Sequence, residues 1–100
     1  MTLRITDTAE DDLADIWATI AADSPERASA FVTSIIERFE PLRHHPELGP
    51  ARKHLAPGLR AHFHGNYTLY YRFTETELII LHVVHGARDQ AALFEENKDG

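Results

Sequence analysis

Basic and imidazole side chains alternate along one short stretch of the sequence, and these residue types can carry acid–base chemistry. The stretch holds Arg60, His62 and His64, and alternate residues of a β-strand point to the same face. Imidazole can accept or donate a proton near neutral pH, while guanidinium can stabilise the negative charge of a phosphate. The spacing therefore indicates a candidate site for acid–base chemistry beside a cation.

A metal site is a second interpretation of the same histidines. His62, His64 and His82 are predicted to share one sheet face, but His82 lies two strands further along the chain, and the sequence has no cysteine. A metal site usually needs three or four converging ligands, so solvated or hydrogen-bonded imidazoles are favoured and no metal is expected. The sequence also lacks a Gly-x-Ser-x-Gly nucleophile motif and a glycine-rich phosphate loop, so no cofactor is expected.

Length and composition indicate one small globular domain. The chain has 100 residues, of which 43% are hydrophobic and 26% charged, and this predicts a single domain over 1–100. The absence of cysteine suits a reducing compartment. No apolar run approaches the ~18 residues that a membrane span needs, and the N-terminus shows no apolar signal segment. These features predict a cytoplasmic protein that does not enter a membrane.

The net charge of −6 is unevenly distributed along the chain. Residues 1–26 carry seven acidic side chains against Arg4, whereas residues 43–72 carry five basic side chains against Glu47. An acidic total argues against general binding to phosphate backbones, and direct sequence-specific binding of nucleic acid is not expected. The basic middle could contact an acidic protein or one local stretch of nucleic acid, or it could be a solvated loop.

A short strand and two helices are predicted in the N-terminal half. Thr2–Thr6 alternates polar and apolar residues, which is typical of a strand. Apolar residues then recur at helical spacing from about residue 8, with Thr8 as the N-cap, to about residue 22. Ser24 and Pro25 fit the cap and first position of a second helix, which should run to about residue 43 with a bend at Pro41. The two apolar stripes are Leu13, Ile16, Trp17 and Ile20, then Ala28, Phe31, Val32, Ile35, Phe39 and Leu42.

The C-terminal half reads as strands. A loop rich in proline and glycine over 45–58 leads into three predicted strands, at 59–64, 67–73 and 77–84. Their short connections imply an antiparallel meander. Gly86 ends the last strand, and Asp89 can cap a short final helix. The predicted fold is α+β, with an N-terminal strand, an antiparallel helical hairpin, a three-stranded antiparallel meander and a short C-terminal helix.

Alternation along the three strands divides the predicted sheet into two faces. The face assigned to the core beneath the helices carries Leu59, Ala61, Phe63, Leu69, Tyr71, Phe73, Ile79, Leu81 and Val83. The opposite face is half polar and half apolar, with Arg60, His62, His64, Thr68, Tyr70, Arg72, Leu78, Ile80, His82 and Val84. Because an uncovered sheet face should be mostly polar, this outer face either receives a partner or packs under the terminal helix, and both interpretations remain open.

Several segments of the sequence together form a family pattern. They are DDLADIW at 11–17, PELG at 46–49, GLR at 58–60, YYRF at 70–73 and LIILHVVHGARD at 78–89. These segments resemble ParE-type toxins of the RelE/ParE superfamily, and the resemblance covers almost the whole chain. It implies a small toxin of a type II toxin–antitoxin module, with a helical hairpin on an antiparallel sheet.

The superfamily has two main activities. The RelE branch cuts messenger RNA on the ribosome, whereas the ParE branch poisons DNA gyrase and is not known for chemistry of its own. Compared with RelE-type toxins, Arg60 and His62 occupy the basic positions of the second strand and Arg88 fits. Thr68 and Phe94 stand where a cation and a titratable group are expected, so two catalytic groups are missing and the ParE branch is favoured.

The resemblance also implies partners and candidate residues. It implies a cognate ParD-like antitoxin that holds the toxin inactive in a hetero-oligomer, and DNA gyrase as the target. The antitoxin-binding candidates lie on the outer face, namely Tyr70, Arg72, Ile80, His82 and Val84, and the toxicity candidates are His85, Arg88 and Asp89. One alternative is a ribosome-dependent mRNA endonuclease that uses Arg60, His62, His64 and Arg88. Another is an inactive toxin-like domain that only binds a partner.

Overall fold

The computed structural model describes residues 1–86 and 93–94, and these residues form an α+β fold. Three helices lie against one face of a four-stranded sheet. The elements in chain order are β1 (Thr2–Ile5), α1 (Asp7–Ala21), α2 (Pro25–Glu37), α3 (Phe39–His44), β2 (Arg60–His64), β3 (Tyr67–Phe73) and β4 (Glu77–His85). Of the predicted C-terminal helix, Leu93 and Phe94 lie within the described residues, and both are helical.

The strands are ordered β1-β4-β3-β2 across the sheet. Strands β2, β3 and β4 form the predicted antiparallel meander, while β1 pairs in parallel with β4, from Thr2 opposite Glu77 to Ile5 opposite Ile80. The helices provide the long connection that a parallel pairing requires. Consequently β4 is a central strand for its first half, and β2 lies at an edge of the sheet.

Helix α1 is capped by Thr6 and not, as predicted, by Thr8. The Thr6 hydroxyl accepts a hydrogen bond from the Ala9 amide (3.2 Å) and donates one to the Ile80 carbonyl oxygen (2.9 Å). The cap therefore joins the helix start to β4, a tertiary contact that local sequence does not reveal. The predictions for the second helix are confirmed, because Ser24 accepts from the Arg27 amide and Pro25 is the first helical residue.

The second predicted helix is divided into α2 and α3. Proline in a helix interior clashes with the carbonyl group four residues earlier, and for Pro41 that residue is Glu37, where α2 ends. Helix α3 begins at Phe39, so Pro41 lies in its first turn, where a missing amide proton costs no intrahelical bond. The predicted bend at Pro41 is thus a full break.

Trp17 was expected in the apolar stripe of α1, but its side chain is 39% exposed. Leu13 and Ile16 are buried as predicted. The indole nitrogen of Trp17 instead donates a hydrogen bond to the Ser29 hydroxyl of α2 (3.1 Å). Trp17 therefore covers the outer side of the helical hairpin, with its polar edge satisfied.

The predicted assignment of β2 side chains to the two faces is wrong, and the β2–β3 turn explains why. The two-residue connection 65–66 places His64 opposite Tyr67. Directly opposed residues point to the same face, so even-numbered residues of β2 share a face with odd-numbered residues of β3. The basic residues of β2 therefore lie on the helix side, namely Arg60, His62 and His64, whereas Leu59, Ala61 and Phe63 lie on the outer face.

In the first half of β4, too, the side chains point to the opposite faces of the sheet from those predicted. Phe73 lies opposite Leu78, so Leu78 and Ile80 point towards the helices, and both are fully buried in the helix-side core. The prediction that Ile80 belongs to the outer face was therefore wrong.

A β-bulge restores the predicted alternation in the second half of β4. The register shifts between Tyr70 and Tyr71, which leaves Leu81 as an extra residue of β4. One extra residue reverses the alternation beyond it. Val83 consequently lies in the helix-side core and Val84 on the outer face, as the sequence predicted.

Each face of the sheet carries its own apolar cluster. The helix-side core contains Ala9, Leu13, Ile16, Ile35, Phe39, Leu42, Leu69, Tyr71, Leu78, Ile80 and Val83. A second group, called here the outer cluster, consists of Leu59, Ala61, Tyr70, Val84 and Phe94, with Leu55, Ala56, Leu81 and Leu93 packed against it. The loop residues Leu55 and Ala56, together with Leu93 and Phe94, thus cover much of the outer face.

Candidate functional site

Arg60, the first residue of β2, fixes the loop that precedes the strand. Its guanidinium donates hydrogen bonds to the carbonyl oxygens of Gly49 (2.7 Å) and Glu47 (3.3 Å). The same group lies 5.8 Å from the centre of the Phe73 ring, within reach of a cation–π interaction. The positive charge of Arg60 is therefore engaged with backbone groups of its own chain.

Tyr71 holds the same loop from β3. Its buried hydroxyl donates to the Pro46 carbonyl oxygen (2.6 Å) and accepts from the Gly49 amide (2.9 Å). Burial is the main influence on the Tyr71 hydroxyl and raises its pKa above the usual value of 10.0. The hydroxyl is therefore protonated at physiological pH. Tyr71 and Arg60 together form what we call the loop clamp, which holds residues 46–49 against the sheet.

His64 is pinned to helix α2. Its Nε2 atom lies 2.9 Å from the Ser34 hydroxyl, which in turn donates to the Phe31 carbonyl oxygen (2.6 Å). A hydroxyl has one proton, so while Ser34 donates to Phe31 it must accept from the Nε2–H of His64. The imidazole thereby serves as a hydrogen-bond donor in a structural contact between the sheet and the helices.

His62 lies between these two contacts in an electropositive setting. Burial is the largest influence on its imidazole, and with the positive charge of Arg38 and the neighbouring His64 it lowers the pKa of His62 below the usual 6.5. His62 is consequently neutral at physiological pH. Within the described residues, the His62 side chain forms no hydrogen bond, in contrast to Arg60 and His64. Protonation of His62 carries a free-energy cost in the folded state.

The lowered pKa of His62 predicts that the protein loses stability in mild acid. Below pH 6.5 the unfolded chain binds a proton at His62 more readily than the folded chain, so the free energy of unfolding should fall as pH falls from 6.5 towards the folded pKa. His62→Gln should flatten this part of the pH profile. Urea unfolding at pH 7.5, 6.5 and 5.5 measures the effect. His54→Gln, which alters an exposed loop histidine, should keep the wild-type slope, and equal slopes for wild type and His62→Gln would contradict the assignment.

Two predicted antitoxin contacts on the outer face are buried within this chain. Tyr70 is 1% and Val84 2% exposed. The Tyr70 ring packs edge-on against Phe94, with 5.0 Å between ring centres, and burial raises its pKa above 10.0. The expectation that these residues form an open surface is therefore wrong, and packing under the C-terminal segment, the other interpretation of this face, applies to both.

The remaining predicted contacts have separate surroundings. Arg72 is exposed on the outer face. His82 is largely buried, with its ring 5.3 Å from the Phe94 ring and its Nδ1 atom 3.6 Å from a carboxylate oxygen of Asp12. The same Asp12 oxygen accepts a hydrogen bond from the Val83 amide (2.9 Å). Asp12 thus satisfies a donor at the edge of β4 beyond the end of β1.

The predicted toxicity residues are only partly within the described chain. His85, at the end of β4, is exposed, and its ring meets Tyr67 edge-on at 5.3 Å between centres. Arg88 and Asp89 lie outside the described residues.

An exposed aromatic residue that was not predicted lies at the edge of the sheet. Phe63 was assigned to the core, yet its side chain is 53% exposed. The guanidinium of Arg52 lies over the Phe63 ring at 5.3 Å from its centre. The two-residue turn contained the information needed to predict this exposure. It pairs His64 with Tyr67, and one residue further back it pairs Phe63 with Thr68 on the outer face.

In 1–86 and 93–94, no group of three or more histidine or acidic side chains could hold a metal ion. No helix of the same residues has the length and apolar character needed to cross a membrane.

The fold resembles toxins solved as parts of toxin–antitoxin systems. The chromosomal ParDE system from P. aeruginosa matches with a TM-score of 0.72 and 27% identity, over 85% of this chain and 95% of that one. The toxin–antitoxin complex RelBE2 from Mycobacterium tuberculosis matches with a TM-score of 0.63 and 32% identity, over 84% and 95%. A helical hairpin on this four-stranded sheet thus defines a toxin of the RelE/ParE superfamily.

The family itself follows from the sequence match. The model for the ParE toxin of the type II toxin–antitoxin system parDE matches residues 3–90. The chain therefore belongs to the ParE toxin family. No curated protein matches the sequence significantly.

Proposed function

We propose that this toxin stops growth by binding DNA gyrase, performs no chemistry of its own, and is neutralised by a ParD-like antitoxin. The observation that carries the proposal is that two of the four residues named for a ribonuclease, Arg60 and His64, are engaged in structural contacts. Arg60 binds backbone carbonyl oxygens of the loop, and His64 binds the Ser34 hydroxyl. RNA cleavage by a 2′-hydroxyl requires a base, an acid and a cation free to meet the phosphate.

Membership of the ParE family and the neighbouring toxin–antitoxin structures support the antitoxin as a partner. The proposed complex is a hetero-oligomer in the cytoplasm, where gyrase acts. Among the outer-face candidates, Arg72 is exposed and stays a proposed antitoxin contact. Contact with Tyr70 or Val84 would require the outer cluster to open, and Ile80 lies in the helix-side core.

Expression of the toxin without its antitoxin tests the target. We expect gyrase-dependent DNA breaks soon after induction, inhibition of supercoiling by purified gyrase, and intact messenger RNA at the same early times. Co-expression of the antitoxin should restore growth. Early codon-linked cuts in messenger RNA without DNA breaks would overturn the proposal. Unchanged growth would instead favour the inactive toxin-like domain.

One observation favours the endonuclease as a second candidate. His62 is neutral because burial and the positive charge of Arg38 lower its pKa, and only the neutral form of an imidazole can accept a proton from a 2′-hydroxyl. His62→Gln separates the two candidates, because an endonuclease should lose about 10²–10⁴-fold in cleavage. A gyrase inhibitor should retain its toxicity at pH 7.5.

A further inference from the structure

The open edge of the sheet at Phe63 has the features of a docking site. Strand β2 pairs with β3 on one side only. On its other side, the loop residues 50–52 cover the start of the strand, where the Ala61 amide donates to the Pro50 carbonyl oxygen (3.1 Å). Beyond Ala61 no further backbone bond to this loop is formed within the described residues. Among residues 1–86 and 93–94, no backbone group therefore pairs with this edge from His62 to the turn.

The backbone of Phe63 faces outward along this edge. In an antiparallel pair, the amide and carbonyl groups of successive residues point alternately towards and away from the partner strand. Because the Ala61 amide points to the loop and away from β3, the backbone groups of Phe63, two residues on, point the same way. One donor and one acceptor are thus presented beside an exposed aromatic ring, an arrangement that can pair with an extended peptide.

The charge around Phe63 selects the kind of peptide. Arg52 lies over the ring, and it belongs to the segment 43–72, which has five basic side chains and Glu47 as its single acid. A second copy docked through the same edge would bring its own Arg52 towards the first, and like charges placed close together are destabilising. The acidic residues of this chain's own N-terminal part lie largely on α1, and a helix cannot supply strand hydrogen bonds.

We infer that the edge of β2 at Phe63 docks an extended, acidic segment of the antitoxin. The segment would exchange backbone hydrogen bonds with Phe63, lay an apolar side chain on its ring and place a carboxylate near Arg52. The inference rests on the proposed function, from which it takes the antitoxin as partner, and it adds the place and the chemistry of the contact.

Hydrogen exchange of the wild-type toxin with and without its co-purified antitoxin tests the inference directly. In the free toxin the Phe63 amide should exchange quickly, while the amides of His62 and His64, which face β3, should be protected. In the complex the Phe63 amide should become at least about tenfold slower to exchange. A complex that neutralises the toxin while the Phe63 amide keeps its free rate would overturn the inference and leave the proposed function intact.

Variants of Phe63 separate the side chain from the backbone. Phe63→Ala should raise the Kd for the antitoxin about tenfold or more, since exposed aromatic anchors often dominate binding. Phe63→Pro also removes the outward amide, a change that edge strands tolerate, and should weaken binding further than Phe63→Ala. Ile36→Ala, at an apolar side chain of α2 that is 43% exposed, is the matched control and should leave the Kd unchanged. Equal Kd values for wild type and Phe63→Ala would contradict the docking site.

The role of charge is measured through Arg52. Arg52→Gln should slow association with the antitoxin and reduce its dependence on salt, because attraction between opposite charges speeds encounter and is screened by ions.

The same measurements made with gyrase distinguish an antitoxin contact from a target contact. If Phe63→Ala weakened binding to gyrase and left antitoxin binding unchanged, the edge would be a contact for the target and the inference would be wrong. If Phe63 is protected by the antitoxin but gyrase is not inhibited, the docking site stands and the proposed target fails.

Discussion

Replacing Tyr70 by alanine should cost the free toxin about 3–5 kcal/mol of folding free energy, the range found for large aromatic residues in cores. Tyr70 is 1% exposed and packs against Phe94 and Val84 in the outer cluster. Single domains are stable by about 5–15 kcal/mol, so the variant would lose a large fraction of its stability. If Tyr70 instead lay on an open surface, as its position in the sequence pattern suggested, the cost would be small.

Thermal and urea unfolding of the free toxin measure this effect. Each kcal/mol shifts the Tm of a domain of this size by about 4–8 °C. Phe63→Ala is the matched control, because Phe63 is an aromatic residue of the same sheet face that is 53% exposed, and surface substitutions usually change stability by about 0.5 kcal/mol or less. Equal and small losses in the two variants would show that the outer cluster is not part of the core.

Replacing Gly49 by alanine should destabilise the toxin by about 2–5 kcal/mol. A Cβ atom at this position would press on the backbone carbonyl oxygen of Ala61 and lie 2.7 Å from the Tyr71 hydroxyl. The backbone cannot give way cheaply, so the loop would have to move. Moving it would loosen the loop clamp, in which Gly49 donates to Tyr71 and accepts from Arg60.

Two further variants separate the steric effect of a Cβ atom at Gly49 from the effects of backbone conformation and of lost hydrogen bonds. Gly58→Ala changes a glycine that has open space but a φ of +73°, and should cost only about 1–2 kcal/mol. Tyr71→Phe leaves the Gly49 amide and the Pro46 carbonyl without a partner and should cost about 1–3 kcal/mol. A Gly49→Ala variant as stable as wild type would mean that the loop does not lie against β2 as described.

The elements of this toxin were largely predictable because their signals are local. Helical spacing of apolar residues, the cap formed by Ser24 and Pro25, and the two-residue turn at 65–66 each act within a few neighbouring residues. The α+β class and the antiparallel meander followed from them. The break between α2 and α3 could also have been predicted, because the clash between Pro41 and the Glu37 carbonyl group depends only on residues close together in the sequence.

The faces of the sheet were predicted less well, and part of that error was avoidable. A two-residue hairpin turn necessarily pairs an even-numbered residue with an odd-numbered one, as His64 with Tyr67. Applying that parity to β2 would have placed Arg60 and His62 beneath the helices and Phe63 on the outer face. The candidate catalytic row and the exposed aromatic residue would then have been distinguished from sequence alone.

The sequence by itself determined which segments are helical or extended, where the turns fall and to which family the chain shows resemblance. The tertiary structure alone decided the bulge at Leu81, the cap of α1 on β4, the engagement of Arg60 and Tyr71 with the loop, and the burial of Tyr70 beneath Phe94. Periodicity reports how one segment distributes its side chains around its own axis. Which of those sides is covered, and by what, depends on pairing and packing between residues far apart in the chain.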